Sequence, residues 1–292
     1  MNLKTLINVN KRKFDIKFKK LLKNKLEKSS LSNAMFYGSM NGGKRIRPFL
    51  VMESAKIAKI SSNDAFIIAS CIECIHSYSL IHDDLPSMDD DDYRRGKLST
   101  HKKFNEATAI LAGDALQTLA YEVICDEKSM EPKYRIEAIK MISSACGKNG
   151  MVYGQYLDIN TEKEKINKKL IEDIHKLKTG KLIECAVMLG QIGNEDQYVI
   201  EHLANFSKKV GLAFQITDDI LEVTSSKEIL GKSTSSDRKN CKATYTNVLG
   251  LEESIKESKK LTQSAIQDVE AIELKDADLL IELAKYITYR ER

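Results

Sequence analysis

Residues 64–92 read DAFIIASCIECIHSYSLIHDDLPSMDDDD, an apolar segment that runs directly into an acidic one. Its apolar residues, among them Ile68, Ile72 and Ile75, fill more than one face of a helix, which is typical of a helix buried at the centre of a bundle. Pro86 is expected to end this helix, because proline disfavours the helical conformation of the residue before it. The stretch therefore predicts a core helix with carboxylates at its C-terminal end.

The rest of the chain also favours helices. Only three prolines occur in 292 residues, and long segments are rich in Leu, Ile, Ala, Lys and Glu. Helices are predicted near 49–60, 106–125, 166–189 and 197–221, with a kink at Thr179-Gly180 in the third and an end near 222–225 for the fourth. No break rich in Pro, Gly or Ser divides the chain. We therefore expect an all-α fold, a helical bundle around a central cavity, in a single domain spanning residues 1–292.

The composition narrows the possible functions. The formal net charge is only +4, and no dense Lys/Arg block is interleaved with aromatic residues, so nucleic-acid binding is not expected. The chain has no apolar run of transmembrane length and no signal-peptide pattern, which predicts a cytoplasmic protein without stable membrane insertion. The basic stretch 11–28 is interpreted as the solvated face of a first helix, with a membrane-surface helix as the alternative.

The acidic run contains the first candidate metal site, formed by Asp83, Asp84 and Asp89. Neighbouring carboxylates resist ionising beside one another, and Mg²⁺, a hard cation that prefers oxygen ligands, removes this conflict. Because Pro86 ends the helix, the chain can loop Asp89 back towards Asp83. A solvated acidic loop is the simpler explanation when this run is taken alone.

A second acidic group makes the metal hypothesis stronger. The sequence FQITDDILE places Asp218, Asp219 and Glu222 in an apolar helical segment. Asp218 and Glu222 are four residues apart and share a helix face, and carboxylates in such a setting are costly to bury unless something pairs with them. Two clusters of this kind in one helical chain predict opposite walls of a single metal-filled cavity.

Basic residues accompany the carboxylates. The turn NGGKRIRP at 41–48 precedes a helix, a combination that suits phosphate binding, with a surface turn as the alternative. Arg94 and Arg95 follow the first acidic cluster, and Lys178 and Lys232 lie near predicted helix ends. Metal-binding acids beside phosphate-binding bases indicate a substrate that carries phosphate and Mg²⁺. Neither a Walker A pattern nor a G-x-G-x-x-G motif supports a nucleotide.

These motifs together resemble the polyprenyl synthetase family of trans-prenyltransferases, and within it most closely the bacterial farnesyl diphosphate synthases. The resemblance covers nearly the whole chain and rests on five motifs in the family's order. They are GGKRIRP at 42–48, ECIHSYSLIHDD at 73–84, LAGDALQ at 111–117, KTG at 178–180 and QITDD at 215–219. Glu222 stands where the family often has Asp, and Ser235-Ser236 stand where it often has Gly and Lys.

The resemblance implies an all-α isoprenoid synthase fold, a homodimer and three Mg²⁺ ions bound with the allylic diphosphate. The implied metal residues are Asp83, Asp84, Asp89, Asp218, Asp219 and Glu222. The residues implied to bind isopentenyl diphosphate are Gly43, Lys44, Arg47, His76 and Arg95. Those implied to face the allylic substrate are Arg94, Lys178, Thr179, Gln215 and Lys232. The residues implied in the chemical step are Lys178, Thr179, Gln215, Asp83 and Asp218.

The implied reaction joins isopentenyl diphosphate to dimethylallyl or geranyl diphosphate through an allylic carbocation. Tyr78 lies five residues before Asp83, about 7.5 Å along a helix. Its ring is expected to close the end of a hydrocarbon tunnel, beside the small Ser79, and so to limit the product to (2E,6E)-farnesyl diphosphate. A geranylgeranyl (C20) synthase and a non-catalytic subunit of a heteromeric prenyltransferase are the alternatives. A terpene cyclase is disfavoured by the Asp218-Asp219 pair.

Overall fold

The computed structural model describes residues 3–161, 166–230 and 244–289. Over these residues the regular structure is helical, apart from a short antiparallel hairpin of β1 (Tyr93–Arg94) and β2 (Lys97–Leu98). The helices are α1 (Leu3–Lys25), α2 (Ser30–Ser39), α3 (Ile46–Ile57), α4 (Ser62–Asp83), α5 (Thr100–Lys103), α6 (Glu106–Asp126), α7 (Pro132–Cys146), α8 (Met151–Thr161), α9 (Lys168–His175), α10 (Lys181–Leu189), α11 (Gln197–Leu230), α12 (Tyr245–Leu249), α13 (Leu251–Glu270) and α14 (Asp278–Tyr289). The predicted all-α fold class is confirmed.

The first of two compact units comprises Met1–Met141 and Leu189–Gly193. Its core helix is α4, which packs against α3 and α6. Ile68, Ile72 and Ile75 on α4 are at most 1% exposed, as expected for a helix that is apolar on more than one face. At its N-terminus the Ser61 hydroxyl accepts a hydrogen bond from the Asp64 N–H at 3.1 Å, which satisfies a backbone donor that the helix leaves free.

A buried ion pair ties α4 to the turn before α3. The Arg45 guanidinium contacts the carboxylate of Glu73, the Asp15 carboxylate at 2.8 Å and the Ser39 carbonyl oxygen at 2.8 Å. Arg45 is 5% exposed, so its charge is balanced by Asp15 and Glu73 inside the unit. Of the three basic residues in the turn, only Lys44 and Arg47 remain accessible for a phosphate.

The second unit comprises Ile142–Met188 and Asn194–Arg292. Helix α11 packs against α13, α12 and α9, around a core that includes Ile171, Leu212, Ile216 and Tyr245. The kink predicted at Thr179-Gly180 is a π-helical turn, Lys176–Gly180, between α9 and α10. The predicted end of α11 at 222–225 is wrong, because the helix runs to Leu230. No proline or glycine lies between 222 and 230 to interrupt its backbone hydrogen bonds.

The expectation that no apolar run reaches transmembrane length is wrong for α4, which is long and apolar enough among the described helices to pass as a membrane span by composition. Of its most apolar window, 72% is buried inside the protein. The apolar character of α4 is therefore explained by its place in the core of the first unit.

Candidate active site

The first aspartate cluster lies where α4 ends. The helix stops at Asp83, and Asp84 caps it. The Asp89 N–H then donates to the Asp83 carbonyl oxygen at 2.9 Å, and the Asp91 N–H donates to that of Asp84 at 3.2 Å. The chain thus folds back after Pro86, as predicted, and brings the backbones of Asp83 and Asp89 together. Both side chains are partly exposed, so their carboxylates are accessible to a cation.

Asp84 is 2% exposed and has a different environment from its neighbours. Arg94 donates from Nε to Asp84 Oδ1 at 2.5 Å, and its Nη2 contacts Asp91 Oδ2 at 3.3 Å. Burial raises the pKa of Asp84 to about 6, although the charge and hydrogen bonds of Arg94 oppose the shift. Asp84 therefore orients Arg94, which lies directly beside the cluster.

The glycine turn before α3 contacts the next arginine. Arg95 donates from Nη1 to the Gly42 carbonyl oxygen at 2.7 Å. Gly43 has a φ of +99°, and a Cβ at this position would collide with the guanidinium of Arg95. Only glycine tolerates both the backbone conformation and this close approach. The guanidinium of Arg95 therefore packs on the glycine turn, at the residue that precedes the exposed Lys44.

A second pair of predicted substrate residues meets between α3 and α4. Arg47 Nη1 lies 3.3 Å from His76 Nε2. Burial lowers the pKa of His76 well below its ordinary value, and the charges of Arg47 and Arg95 lower it further. His76 is therefore neutral at physiological pH and accepts the hydrogen bond, which orients the Arg47 guanidinium. The predicted ligands of isopentenyl diphosphate thus include two contacting pairs, Gly43 with Arg95 and Arg47 with His76.

The second unit positions the other acidic cluster on α11. Asp219 is 5% exposed. Its Oδ2 accepts from the Tyr245 N–H at 2.7 Å and lies 3.0 Å from His175 Nε2, and its Oδ1 accepts from Gln215 Nε2 at 3.3 Å. Asp218 on the same helix is partly exposed and Glu222 is exposed. Asp219 is thus buried and anchored by the protein, whereas its two neighbours on the helix are more exposed to solvent.

The π-helical turn presents two further predicted residues. Thr179 donates from Oγ1 to Gln215 Oε1 at 2.8 Å, and Lys178 donates from Nζ to Asp158 Oδ2 at 2.5 Å. A π-turn inserts one residue per turn relative to an α-helix and is frequent at functional sites. Here it directs Thr179 towards α11 and Lys178 towards α8.

Three further residues of this region lie at the site but were not predicted from the sequence. His175 contacts Asp219, and Asp158 contacts Lys178. Gln155 on α8 is 9% exposed, and neither end of its amide has a hydrogen-bond partner among the described residues. The spacing Gly154-Gln155-x-x-Asp158 was the available signal, since a polar pair three residues apart shares a helix face. Gly154 permits the contact between Asp158 and Lys178, because a Cβ at residue 154 would collide with the backbone of Lys178.

The proposed chain-length residues lie on α4. Tyr78 is 5% exposed, and its ring meets that of His82 edge to face at a centroid distance of 5.8 Å. Ser79 is partly exposed and donates from Oγ to the His76 carbonyl oxygen at 3.0 Å. Lys232, together with Ser235 and Ser236, lies outside the described residues.

A family model described as polyprenyl synthetase matches residues 28–282. The chain belongs to the polyprenyl synthetase family. The farnesyl diphosphate synthase of Escherichia coli is 43% identical over 264 residues, which cover 88% of each chain. That of Micrococcus luteus is 48% identical over 227 residues, covering 77% of this chain and 78% of the relative.

Solved structures of this family share the fold. The crystal structure of a geranyltransferase from Helicobacter pylori, complexed with magnesium and isoprenyl diphosphate, superposes with a TM-score of 0.80. The two chains are 35% identical, and the match covers 94% of each. As a member of this family, the chain is a prenyltransferase with the isoprenoid synthase fold.

Proposed function

We propose that the chain is a (2E,6E)-farnesyl diphosphate synthase, which condenses isopentenyl diphosphate with dimethylallyl or geranyl diphosphate. The observation that carries this proposal is the end of α4, where Asp89 folds back onto Asp83 and Tyr78 lies buried before them on the same helix. The identity of 43% to 48% with two bacterial farnesyl diphosphate synthases supports the same product.

The carboxylates fit magnesium. The four proposed ligands are carboxylates that are at least partly exposed, Asp83, Asp89, Asp218 and Glu222. A set of oxygen donors alone suits a hard cation. We assign these four as ligands of three Mg²⁺ ions and Asp84 and Asp219 as supporting carboxylates, because the latter two are buried at 2% and 5% exposure. When bound, magnesium would neutralise the diphosphate and weaken its bond to the allylic carbon.

The basic residues divide between two diphosphates. Lys44, Arg47 and Arg95, with Gly43 allowing the close approach, hold isopentenyl diphosphate, and neutral His76 positions Arg47 without adding charge. Arg94 and Lys178 bind the departing diphosphate of the allylic substrate, with Lys232 as the proposed third cation. The carboxylates of Asp84 and Asp158 hold Arg94 and Lys178 in place until substrate arrives.

The chemical step then uses neutral oxygens. The bond between the allylic carbon and diphosphate breaks heterolytically, and the electron pair leaves with the diphosphate. Thr179 and Gln215, which hydrogen bond to each other, direct partial negative charge at the carbocation. The double bond of isopentenyl diphosphate attacks that carbon, and the proton lost from the adduct passes to the released diphosphate, so no side-chain base is required. Exclusion of water prevents quenching of the cation.

Tyr78 limits the product to fifteen carbons in this proposal, and Ser79 beside it is too small to contribute much. The test is an assay of the purified chain with Mg²⁺, geranyl diphosphate and radiolabelled isopentenyl diphosphate. A C15 product by chromatography is expected. A C20 or longer product would reject the farnesyl assignment, and an inactive chain would favour a non-catalytic subunit.

We further propose that residues 1–292 act as one catalytic domain, that the chain forms a homodimer, and that it works in the cytoplasm. The match of the family model to 28–282 supports a single functional domain. The burial of α4 supports a protein that works without membrane insertion. Light scattering during size-exclusion chromatography should give about twice the chain mass of 33.0 kDa.

A further inference from the structure

Three side chains next to the β-hairpin form a group that the proposed reaction does not use. They are Asp90, Asp92 and His101, and one ligand atom from each lies within 4.8 Å of the others. The two aspartates follow the first acidic cluster and are exposed, whereas His101 on α5 is 6% exposed. Their backbone is held in place. The Asp90 N–H donates to the Leu85 carbonyl oxygen at 3.1 Å, and the Ser99 N–H donates to that of Asp92 at 2.9 Å.

The imidazole of His101 is the observation that points to a ligand. Its Nδ1 lies 3.2 Å from Oγ of Ser99, which is 1% exposed. Its Nε2 is buried and has no hydrogen-bond partner among the described residues. If Nδ1 carries the proton and donates it to Ser99, Nε2 presents a lone pair. A hydrogen bond to the second ring nitrogen is the usual way in which proteins orient a metal-binding histidine.

We propose that Asp90, Asp92 and His101 form a binding site for one divalent transition-metal ion, separate from the magnesium ligands Asp83 and Asp89. Two carboxylates and an imidazole bind Zn²⁺ or Co²⁺ more tightly than Mg²⁺, which prefers oxygen ligands alone. Ligand atoms that bind one ion at about 2.0–2.2 Å lie about 3.4 Å apart in tetrahedral geometry, so the exposed aspartate side chains have to rotate inward by up to about 1.4 Å. Solvent completes the coordination.

The location of the site gives the ion a structural role. Asp92 immediately precedes β1, and His101 follows β2 by three residues. An ion bound here closes the base of the hairpin that carries Arg94 and Arg95, and thereby restrains both arginines. Without the ion, Lys102 partly substitutes for it, because its Nζ contacts Asp92 Oδ1 at 2.8 Å.

The test uses the full-length protein after dialysis against chelator. Titration with Co²⁺ should produce a visible absorption band at one equivalent, and Zn²⁺ should displace the Co²⁺ whereas Mg²⁺ in large excess should not. Asp90→Asn or Asp92→Asn should weaken Co²⁺ binding at least tenfold, and Ser99→Ala should weaken it by about 10- to 100-fold through the loss of ring orientation. Lys102→Gln should strengthen it, because a competing cation is removed.

Two controls separate this site from the magnesium site. Asp91→Asn removes the same charge from the same loop but lies outside the cluster, and it should leave Co²⁺ affinity within about twofold. The double variant Asp83→Asn/Asp89→Asn should keep the cobalt band. The proposal is overturned if the wild type gives no band, if Asp91→Asn and Asp92→Asn weaken binding equally, or if the band is lost in the double variant. Because Asp90 and Asp92 are exposed, their variants test the site even if a change at buried His101 prevents folding.

Discussion

Replacement of Tyr78 by alanine tests the chain-length proposal directly. The side chain is 5% exposed on α4, and the residue one turn earlier on the same helix face is Cys74, which is small and fully buried. Tyr78→Ala should therefore lower the tunnel floor by one helical turn, about 6 Å, which accommodates an additional isoprene unit. We expect the main product to change from C15 to C20 or longer, while the consumption of geranyl diphosphate continues.

The assay is reversed-phase chromatography of dephosphorylated products formed from geranyl diphosphate and radiolabelled isopentenyl diphosphate. Loss of the buried ring should cost about 3 kcal/mol of stability, so folding is verified by circular dichroism and the assay is run well below the melting temperature. Tyr78→Phe keeps the ring and Ser79→Ala leaves it untouched, so both should retain the C15 product. A folded, active Tyr78→Ala enzyme that still stops at C15 would refute the role of Tyr78 as the floor.

Three further predictions follow from individual contacts. His175→Leu should reduce the affinity for Mg²⁺ or kcat by about 10- to 100-fold, because Asp219 loses a donor that orients it; unchanged Mg²⁺ dependence of the rate would contradict this. Asp84 has a folded-state pKa raised to about 6, so its contribution to stability in the metal-free protein is complete below its ordinary pKa and is lost as the pH rises through 6. Relative to Asp84→Asn, the free energy of unfolding of the wild type should therefore fall by about 2 kcal/mol between pH 4 and pH 7. Urea unfolding of both proteins at these two pH values measures this change, and an equal stability difference at both pH values would contradict the raised pKa. Gly43→Ala should raise the KM for isopentenyl diphosphate more than that for geranyl diphosphate, because the added methyl group displaces Arg95; equal changes in both KM values would argue against the assignment.

Local sequence signals predicted the parts of the fold that depend on neighbouring residues. The apolar pattern of residues 64–84 predicted a core helix, and α4 spans Ser62–Asp83. Pro86 predicted the return of Asp89 to Asp83, which the backbone hydrogen bond confirms. The kink near Thr179 was also predicted, since Thr179 and Gly180 are both poor helix formers in succession.

Contacts between distant residues could not be predicted in this way. Asp219 is held by His175 and Tyr245, which are 44 and 26 residues away in the chain. Arg45 has the same local surroundings as Lys44 and Arg47, and only the packing of α1 and α4 shows that its charge belongs to the interior. Burial and partner choice depend on which helices meet, and helical periodicity does not specify this.

The hairpin that carries Arg94 was not predicted either. Its strands have only two residues each, too few for an alternating pattern to be recognised. The turn between them contains Arg95 and Gly96, both with positive φ. A single glycine after two arginines is a weak turn signal, although the turn at Gly96 determines where Arg94 and Arg95 lie.

The central claim is that Asp83 and Asp218, one from each acidic cluster, serve the same magnesium-dependent ionisation. The most direct test is the rate of condensation by Asp83→Asn, Asp218→Asn and the double variant, measured at saturating Mg²⁺ with geranyl diphosphate and isopentenyl diphosphate. Each single variant should lose at least about a hundredfold in kcat, and the double variant should lose far less than the product of the two, because residues that act as a unit are not additive. Wild-type activity in either single variant, or fully multiplicative losses in the double variant, would contradict the account.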